Sequence, residues 1–158
     1  MSRPLFTPTS ARRAVTALRP AAERMCRLFR EMERRCPPSV APEQPVEPAY
    51  FALVWRLNTE LARILRRGAR VGDLRSGRLR FPAVRDGKRV WLCWKVGEPT
   101  VRHWHETGAG ERGLRRVDED GPWEEGDRLV SRQLVQSPEV ESRLLEVFHA
   151  EGLNDADP

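Results

Sequence analysis

The chain has 158 residues, with 28 Lys or Arg against 23 Asp or Glu and a net charge of +5 at pH 7. This length accommodates one domain with a modest core, and three widely spaced cysteines without a Cys-x-x-Cys pair argue against a disulfide framework. No apolar segment resembles a signal peptide or is long enough to span a membrane, so we expect a soluble cytoplasmic protein without a membrane partner.

The first predicted element is a long amphipathic helix over residues 6–36. Thr7 is the expected N-cap and Pro8 the first helical residue. Pro20 should kink or interrupt this helix, because proline lacks the backbone N–H that the hydrogen-bond ladder needs. Apolar residues recur every three or four positions and form a packing seam, which includes Ala11, Val15, Leu18, Ala22, Met25, Phe29 and Met32.

A proline-rich connector over residues 36–48 leads into a second amphipathic helix over residues 49–68, with Gly68 as its stop. Two helices that each carry one apolar stripe should pair antiparallel. The helix seam is also a candidate surface for a homodimer. The apolar face of the second helix is predicted to comprise Phe51, Val54 or Trp55, Leu57 or Asn58, Leu61, and Ile64 or Leu65.

From Gly77 onwards the apolar period changes to two, which predicts three antiparallel strands over residues 78–84, 89–96 and 100–106. Asp86-Gly87 is a strong hairpin turn, and residues 97–100 form a second turn. If both turns are tight, one face carries the apolar residues with His103 and His105. The other face then carries Arg78, Arg80, Trp91, Cys93, Lys95, Arg102, Trp104 and Glu106.

The sequence after residue 110 is acidic, whereas the part before it is basic. Residues 137–152 predict a short helix capped by Ser137. The predicted organisation is therefore a core domain over residues 1–116 and an acidic extension over residues 117–158. The fold class is α+β: an antiparallel helical hairpin packed on a three-stranded antiparallel β-meander, plus a C-terminal helix.

One candidate site is a basic and aromatic β face formed by Arg78, Arg80, Lys95, Arg102, Trp91 and Trp104. Cations interleaved with aromatic rings are the groups that bind single-stranded nucleic acid or another polyanion. The alternative is that the C-terminal segment covers this face, with acids such as Asp118 and Glu119 neutralising the arginines.

A second candidate is a metal site at His103 and His105, because an H-x-H pair on one strand supplies two ligands. A third ligand is missing from the predicted face. Cys93 lies between Leu92 and Trp94, which favours an inert thiol. No catalytic residue and no cofactor are therefore assigned, and the metal-dependent enzyme remains an alternative.

Five short motifs resemble the bacterial family called Domain of Unknown Function 2203, over about residues 5–114. They are Phe81-Pro82-Ala83, Asp86-Gly87, Leu92-Cys93-Trp94, Gly97-Glu98-Pro99 and Trp104-His105-Glu106. The resemblance implies an N-terminal helical pair and places Cys93, Glu98, His105 and Glu106 in the shared pattern. It implies no activity. The chain departs from the pattern at His103, where an aromatic residue is expected, and at Arg80, where an acidic one is expected.

The expected function is that of a non-enzymatic interaction module in the cytoplasm. The alternatives left open are a binder of single-stranded nucleic acid or polyanions and a metal-dependent enzyme.

Overall fold

A computed structural model describes residues 5–35 and 48–124 of the protein. Two helices, α1 (Pro8–Arg35) and α2 (Pro48–Arg66), pack on each other and against a five-stranded antiparallel sheet. The strands are β1 (Arg70–Asp73), β2 (Arg78–Arg85), β3 (Lys88–Trp94), β4 (His103–Glu106) and β5 (Arg115–Arg116), and they lie side by side in chain order. The predicted α+β class is confirmed. The predicted C-terminal helix and most of the proline-rich connector lie outside the described residues.

The N-terminus of α1 is fixed by a reciprocal cap. The Ser10 amide donates to Thr7 Oγ1 at 3.2 Å, and the Thr7 amide donates to Ser10 Oγ at 2.8 Å. The helix runs through Pro20 without interruption, so the predicted break does not occur. Pro20 is exposed, so water can satisfy the carbonyl that loses its N–H partner there.

The core lies between the two helices and one face of the sheet, which we call the helix face. Its largest fully buried side chains include Trp94 and Phe81 from the sheet, Met25 from α1, and Leu57 and Ile64 from α2. Each buried side chain of this size contributes about 1.5–3 kcal/mol to folding. The apolar seam of α1 is thus buried inside the chain, against α2 and the sheet.

The β2–β3 hairpin has the predicted register, in which Leu79 pairs with Trp94 and Ala83 with Val90. Asp86 and Gly87 have φ angles of 51° and 71°, the left-handed conformation that a two-residue hairpin turn requires. This turn sets the pairing of both strands by local geometry alone.

The predicted β3–β4 register is wrong by one residue. Leu92 pairs with Trp104, Cys93 with His103, and Trp91 with His105. The connection is not a tight turn but an eight-residue loop over residues 95–102, and contacts with distant parts of the chain hold it. A slip of one residue reverses every side chain of a strand, so β4 presents the opposite face to the one predicted.

The face turned away from the helices, which we call the back face, therefore carries His103 and His105, whereas Trp104 lies on the helix face. The sheet also has two strands more than predicted. β1 pairs with β2 through a bulge at Gly72, between Val71 and Asp73. β5 contributes only two residues.

The close approach of α1 to the β1–β2 turn makes Gly77 a sensitive position. Gly77 has a φ of 67°, and an added Cβ would lie 2.4 Å from Cys26 Sγ and 2.5 Å from Val96 Cγ2. Gly87 has a similar φ of 71°, but a Cβ there would meet nothing within 4 Å. We therefore expect Gly77→Ala to lower the free energy of unfolding by about 1–3 kcal/mol more than Gly87→Ala does, as measured by urea denaturation. Equal losses in the two variants would contradict the packing described for α1.

Candidate functional site

A row of chemically active side chains crosses the back face from one edge of the sheet to the other. The strand pairings place Arg70, Arg80, Cys93, His103 and Arg116 next to one another in that order, and we call this set the back-face row. Directly opposed residues of this kind have Cβ atoms about 5 Å apart. The row thus has cationic side chains at both ends and a thiol and an imidazole between them.

Arg80 is held against the bulge of β1. A Cβ added to Gly72 would lie 2.9 Å from Arg80 Nε and 3.3 Å from Arg80 Cζ, so the guanidinium occupies the space that the glycine leaves. Its Nε is buried and has no hydrogen-bond partner among the residues that the structure describes. An unsatisfied buried donor is rare in folded proteins and calls for an explanation.

Cys93 is a buried, uncharged thiol. Its Sγ donates a weak hydrogen bond to the Trp91 carbonyl oxygen at 3.7 Å. Burial raises the pKa of Cys93 to about 12, although the positive charges of Arg80 and Arg78 act in the opposite direction. A thiol with this pKa is neutral at pH 7 and a poor nucleophile. The prediction of an inert thiol agrees with this geometry.

His105 is buried in a defined tautomer. Its Nδ1 lies 2.8 Å from the Glu106 carbonyl oxygen, which can only accept, so Nδ1 carries the proton. Burial lowers the pKa of His105, and the charges of Arg80 and Arg78 lower it further, against the effect of the hydrogen bond to Glu106. The ring is therefore neutral near pH 7, with the lone pair of Nε2 available as an acceptor.

The predicted basic and aromatic face is not assembled as expected. Trp91 and Trp104 lie on opposite faces and are only 6% and 5% exposed, so neither ring is open to a stacking base. Arg78 and Arg80 are on the back face, but Lys95 and Arg102 lie in the β3–β4 loop. The register of β4 accounts for Trp104, whereas Lys95 and Arg102 lie beyond the ends of β3 and β4.

Trp104 is enclosed instead by the segment that follows β5. The Trp123 ring meets it edge to face at 6.0 Å, and the Arg85 and Arg115 guanidiniums lie over it at 5.0 and 5.3 Å. Asp118 pairs with Arg85 at 2.7 Å. This acid, and Glu119 with Arg12, therefore neutralise arginines other than those of the back-face row.

The H-x-H pair lies on the back face and not on the apolar face predicted for it. This places Cys93 beside His103, although the sequence argument had separated them. Within residues 5–35 and 48–124, no three or more His, Cys, Asp or Glu side chains are grouped so as to hold a metal ion.

Two other residues of the family pattern stabilise the local backbone. Glu98 Oε2 accepts from the Lys95 amide at 3.1 Å, and the Glu98 carbonyl accepts from Trp94 Nε1 at 2.9 Å. The Glu106 carbonyl accepts from the amide of Ala109 as well as from His105. Glu98 thus shapes the loop that sets the β4 register.

A second surface, on α2, was missed by the sequence argument, which assigned its residues to the buried face. Phe51, Trp55 and Leu65 are 39%, 77% and 44% exposed. Together with the half-buried Asn58 and Ala62 they form a stripe with alternating spacings of four and three residues, which we call the exposed stripe. This is the spacing of a helix that packs along another helix. A second stripe of the same spacing, offset by one residue, is buried in the core: Tyr50, Val54, Leu57, Leu61 and Ile64.

The groove between α1 and α2 beside Trp55 is rich in arginine. Its lining includes Leu28 and Leu53, three glutamates (Glu31, Glu33 and Glu60) and five arginines (Arg24, Arg27, Arg30, Arg34 and Arg56). The glutamates are already engaged within the chain. Glu60 accepts a bidentate bond from Arg24 at 2.9 and 3.1 Å, Glu31 pairs with Arg34 and Arg35, and Glu33 pairs with Arg75. Two of the five groove arginines, Arg24 and Arg34, are thus paired as well, and the five arginines still outnumber the three glutamates. The groove therefore presents a positive rim around an exposed indole.

Comparison with known proteins gives one finding. A family model described as an uncharacterized conserved protein, DUF2203, matches residues 4–117. No curated protein and no solved structure gives a significant match. Neither α1 nor α2 is long and apolar enough to cross a membrane, and no other helix of the described part of the chain is either.

The raised pKa of Cys93 predicts resistance to alkylation. At pH 8 the folded protein should leave Cys93 unmodified by iodoacetamide, because only about one thiol in ten thousand is ionised when the pKa is 12. The same reaction in urea should label it fully, which mass spectrometry of the digested protein would measure. Rapid labelling of Cys93 in the native protein would rule out the buried position.

The lowered pKa of His105 predicts a stability that falls in acid. The unfolded chain binds a proton on this ring as the pH drops below about 6.5, whereas the folded protein binds it only at a lower pH. The free energy of unfolding should therefore rise with pH through the window just below 6.5. In His105→Asn, which keeps a donor near the Nδ1 position, this part of the pH dependence should vanish in denaturant titrations. His103→Asn is the matched control on the same strand, and a profile flattened by that change alone would contradict the assignment.

Proposed function

The chain belongs to the DUF2203 family, and we propose that it acts as a protein-interaction module that binds an acidic amphipathic helix of a partner along the exposed stripe of α2. The proposal agrees with the expectation of a non-enzymatic binding protein drawn from the sequence. It moves the binding surface from the buried helix seam to the outer side of α2.

The observation that carries the proposal is the 77% exposure of Trp55. Tryptophan is among the residues most enriched at the centres of protein interfaces, because its large apolar ring gains much from burial. Phe51 lies one turn before it on the same side of the helix. An exposed apolar stripe with heptad spacing on one helix offers a partner helix a complete line of contacts.

The charge of the surrounding surface selects the partner. The groove beside Trp55 is lined by five arginines and three glutamates, so its net charge is positive even though Arg24 and Arg34 pair with glutamates of the same groove. A partner helix with carboxylates flanking its apolar side would be attracted to this rim, whereas a basic helix would be repelled. The same reasoning disfavours a second copy of this chain, because a two-fold contact would bring arginine-rich rims together.

The nucleic-acid alternative has less support. Stacking needs aromatic rings open to the bases, and the two tryptophans assigned to that role are buried.

A designed peptide pair tests the proposal. The probe is a fluorescently labelled three-heptad peptide with Leu at positions a and d and Glu at the others, and its counterpart carries Lys in place of Glu. We expect the Glu peptide to bind the full chain in anisotropy titrations, with an affinity that falls as salt is added, and the Lys peptide not to bind. Trp55→Ala should weaken binding roughly tenfold or more.

The control variant is Leu114→Ala, which removes an apolar side chain that is 40% exposed on another part of the molecule. It should leave peptide binding unchanged. Because both positions are exposed, neither change should disturb folding. If sedimentation shows a dimer that Trp55→Ala dissociates, a second copy is the occupant and the proposed partner is wrong. Equal binding of the Glu and Lys peptides would also overturn it.

A further inference from the structure

The exposed stripe of α2 matches a segment of the same chain in length. It runs from Phe51 to Leu65, which at about 1.5 Å per residue spans about 21 Å. The sequence predicts a helix over residues 137–152, outside the described residues, with Ser137 as its N-cap and Gly152 after its end. A helix of this length measures about 24 Å. The two elements are therefore long enough to lie side by side along the whole stripe.

The apolar residues of the C-terminal segment follow the spacing of the exposed stripe. Val140, Leu144 and Val147 are four and three residues apart, so they share one side of a helix, and Phe148 lies beside them. The exposed stripe alternates in the same way, with Trp55 near its middle. Two helices that each carry this spacing pack along a common seam, because the side chains of one enter the gaps of the other.

The charge of the segment is opposite to that of the groove beside Trp55. Residues 137–152 contain four glutamates and one arginine, which gives a formal net charge of −3 with histidine neutral. The glutamates are Glu139, Glu141, Glu146 and Glu151. The groove is lined by five arginines and three glutamates. The segment thus has the two properties expected of a partner helix, an apolar side and an excess of carboxylates.

The chain that precedes the segment is long enough to bring it to α2. The described part ends beside β2, where Trp123 forms a bridge with Arg85 and the Glu124 amide donates to the Val84 carbonyl. Twelve residues, 125–136, come before the predicted helix. Twelve residues reach about 40 Å when fully extended. A domain of about 100 residues has a radius of gyration of about 13 Å and is roughly 35 Å across, so this reach covers it.

We propose that residues 137–152 bind in cis along the exposed stripe of α2, over Trp55, and compete there with the partner helix. This inference rests on the proposed function, because it takes the same stripe to be a surface for an acidic amphipathic helix. A short tether holds the segment near its site at an effective concentration on the order of millimolar. A partner must displace the segment, so its apparent affinity is reduced by the fraction of molecules in which the stripe is open.

The test uses the full-length protein with fluorotryptophan in place of tryptophan, observed by fluorine nuclear magnetic resonance. The chain has five tryptophans, and the signal lost in Trp55→Phe assigns Trp55. Leu144→Gln removes an apolar side chain from the middle of the segment and changes neither the charge nor the helix propensity appreciably. It should shift the Trp55 signal and increase its sensitivity to D₂O, because the indole becomes more exposed. The other four signals should stay in place, as a check on the fold.

Ser142→Gln is the matched control. Residue 142 lies on the opposite side of the predicted helix from Leu144, so this change should leave the Trp55 signal where it is. Phe148→Gln is a second variant on the apolar side and should act as Leu144→Gln does. A Trp55 signal that is the same in the unmodified chain and in both apolar-side variants would overturn the proposal.

Titration with the Glu peptide provides a second measurement. Leu144→Gln should tighten binding roughly tenfold, the gain expected if the stripe is open in about one molecule in ten, and Ser142→Gln should not change it. An affinity that Leu144→Gln leaves unchanged would overturn binding in cis and leave the partner proposal standing. A peptide that binds neither the unmodified chain nor Leu144→Gln would instead overturn the partner proposal, while the Trp55 signal decides whether the segment binds in cis.

Protein concentration distinguishes binding in cis from exchange between two copies. In cis, the Trp55 signal should be constant over a roughly hundredfold range of protein concentration, because the tether alone sets the effective concentration. Sedimentation should then give the mass of a monomer. A dimer that Leu144→Gln dissociates would place the segment on a second copy and overturn the proposal.

Discussion

The side of the sheet on which Trp104 lies determines how the rest of the molecule is arranged. β4 has only four residues, and its side chains alternate between the two faces of the sheet. The face on which Trp104 lies therefore fixes the face of the other three side chains. Burying the indole beside Leu92 is worth about 2–3 kcal/mol. The opposite register would place His103 and His105 in the apolar core, where their ring nitrogens would need partners. The register that buries Trp104 therefore sends both histidines to the back face.

The parts of the fold that could be predicted from the sequence are those set by local chemistry. The Thr7-Pro8 start of α1 and the Asp86-Gly87 turn depend only on neighbouring residues, and the turn determines the whole β2–β3 pairing. The β3–β4 pairing could not be derived in this way. Its loop is held by contacts distant in sequence, including Arg19, which donates to the carbonyls of Glu98 and Pro99. A turn-like sequence at 97–100 gave no sign that the loop would take eight residues.

The same limit explains why the exposed stripe of α2 was overlooked. Periodicity identifies an apolar helix, but it cannot distinguish two apolar stripes that lie one residue, or about 100°, apart. Which stripe of α2 is buried depends on where α1 crosses α2. A contact between residues distant in sequence joins the two helices at this crossing. Glu60 is buried and binds both Arg24 and Arg63. Burial alone would raise its pKa, but the two guanidiniums hold the pKa of Glu60 below its usual range. The Arg24–Glu60 pair joins α1 to α2 in the arrangement that leaves Trp55 exposed.

The residues that the family resemblance singled out have structural roles that require no substrate. Glu98 closes the β3–β4 loop, His105 is tied to the Glu106 carbonyl, and Cys93 is a buried thiol hydrogen-bonded to the backbone. Each lies in the region that sets the register of β4. Their recurrence as a pattern can therefore reflect the demands of this sheet, because the other register would move Trp104 out of the apolar core and place the histidines in it. The indole of Trp55 on α2 lies outside this region and is 77% exposed, which the sheet does not require. Binding to a partner is the more economical explanation for its exposure.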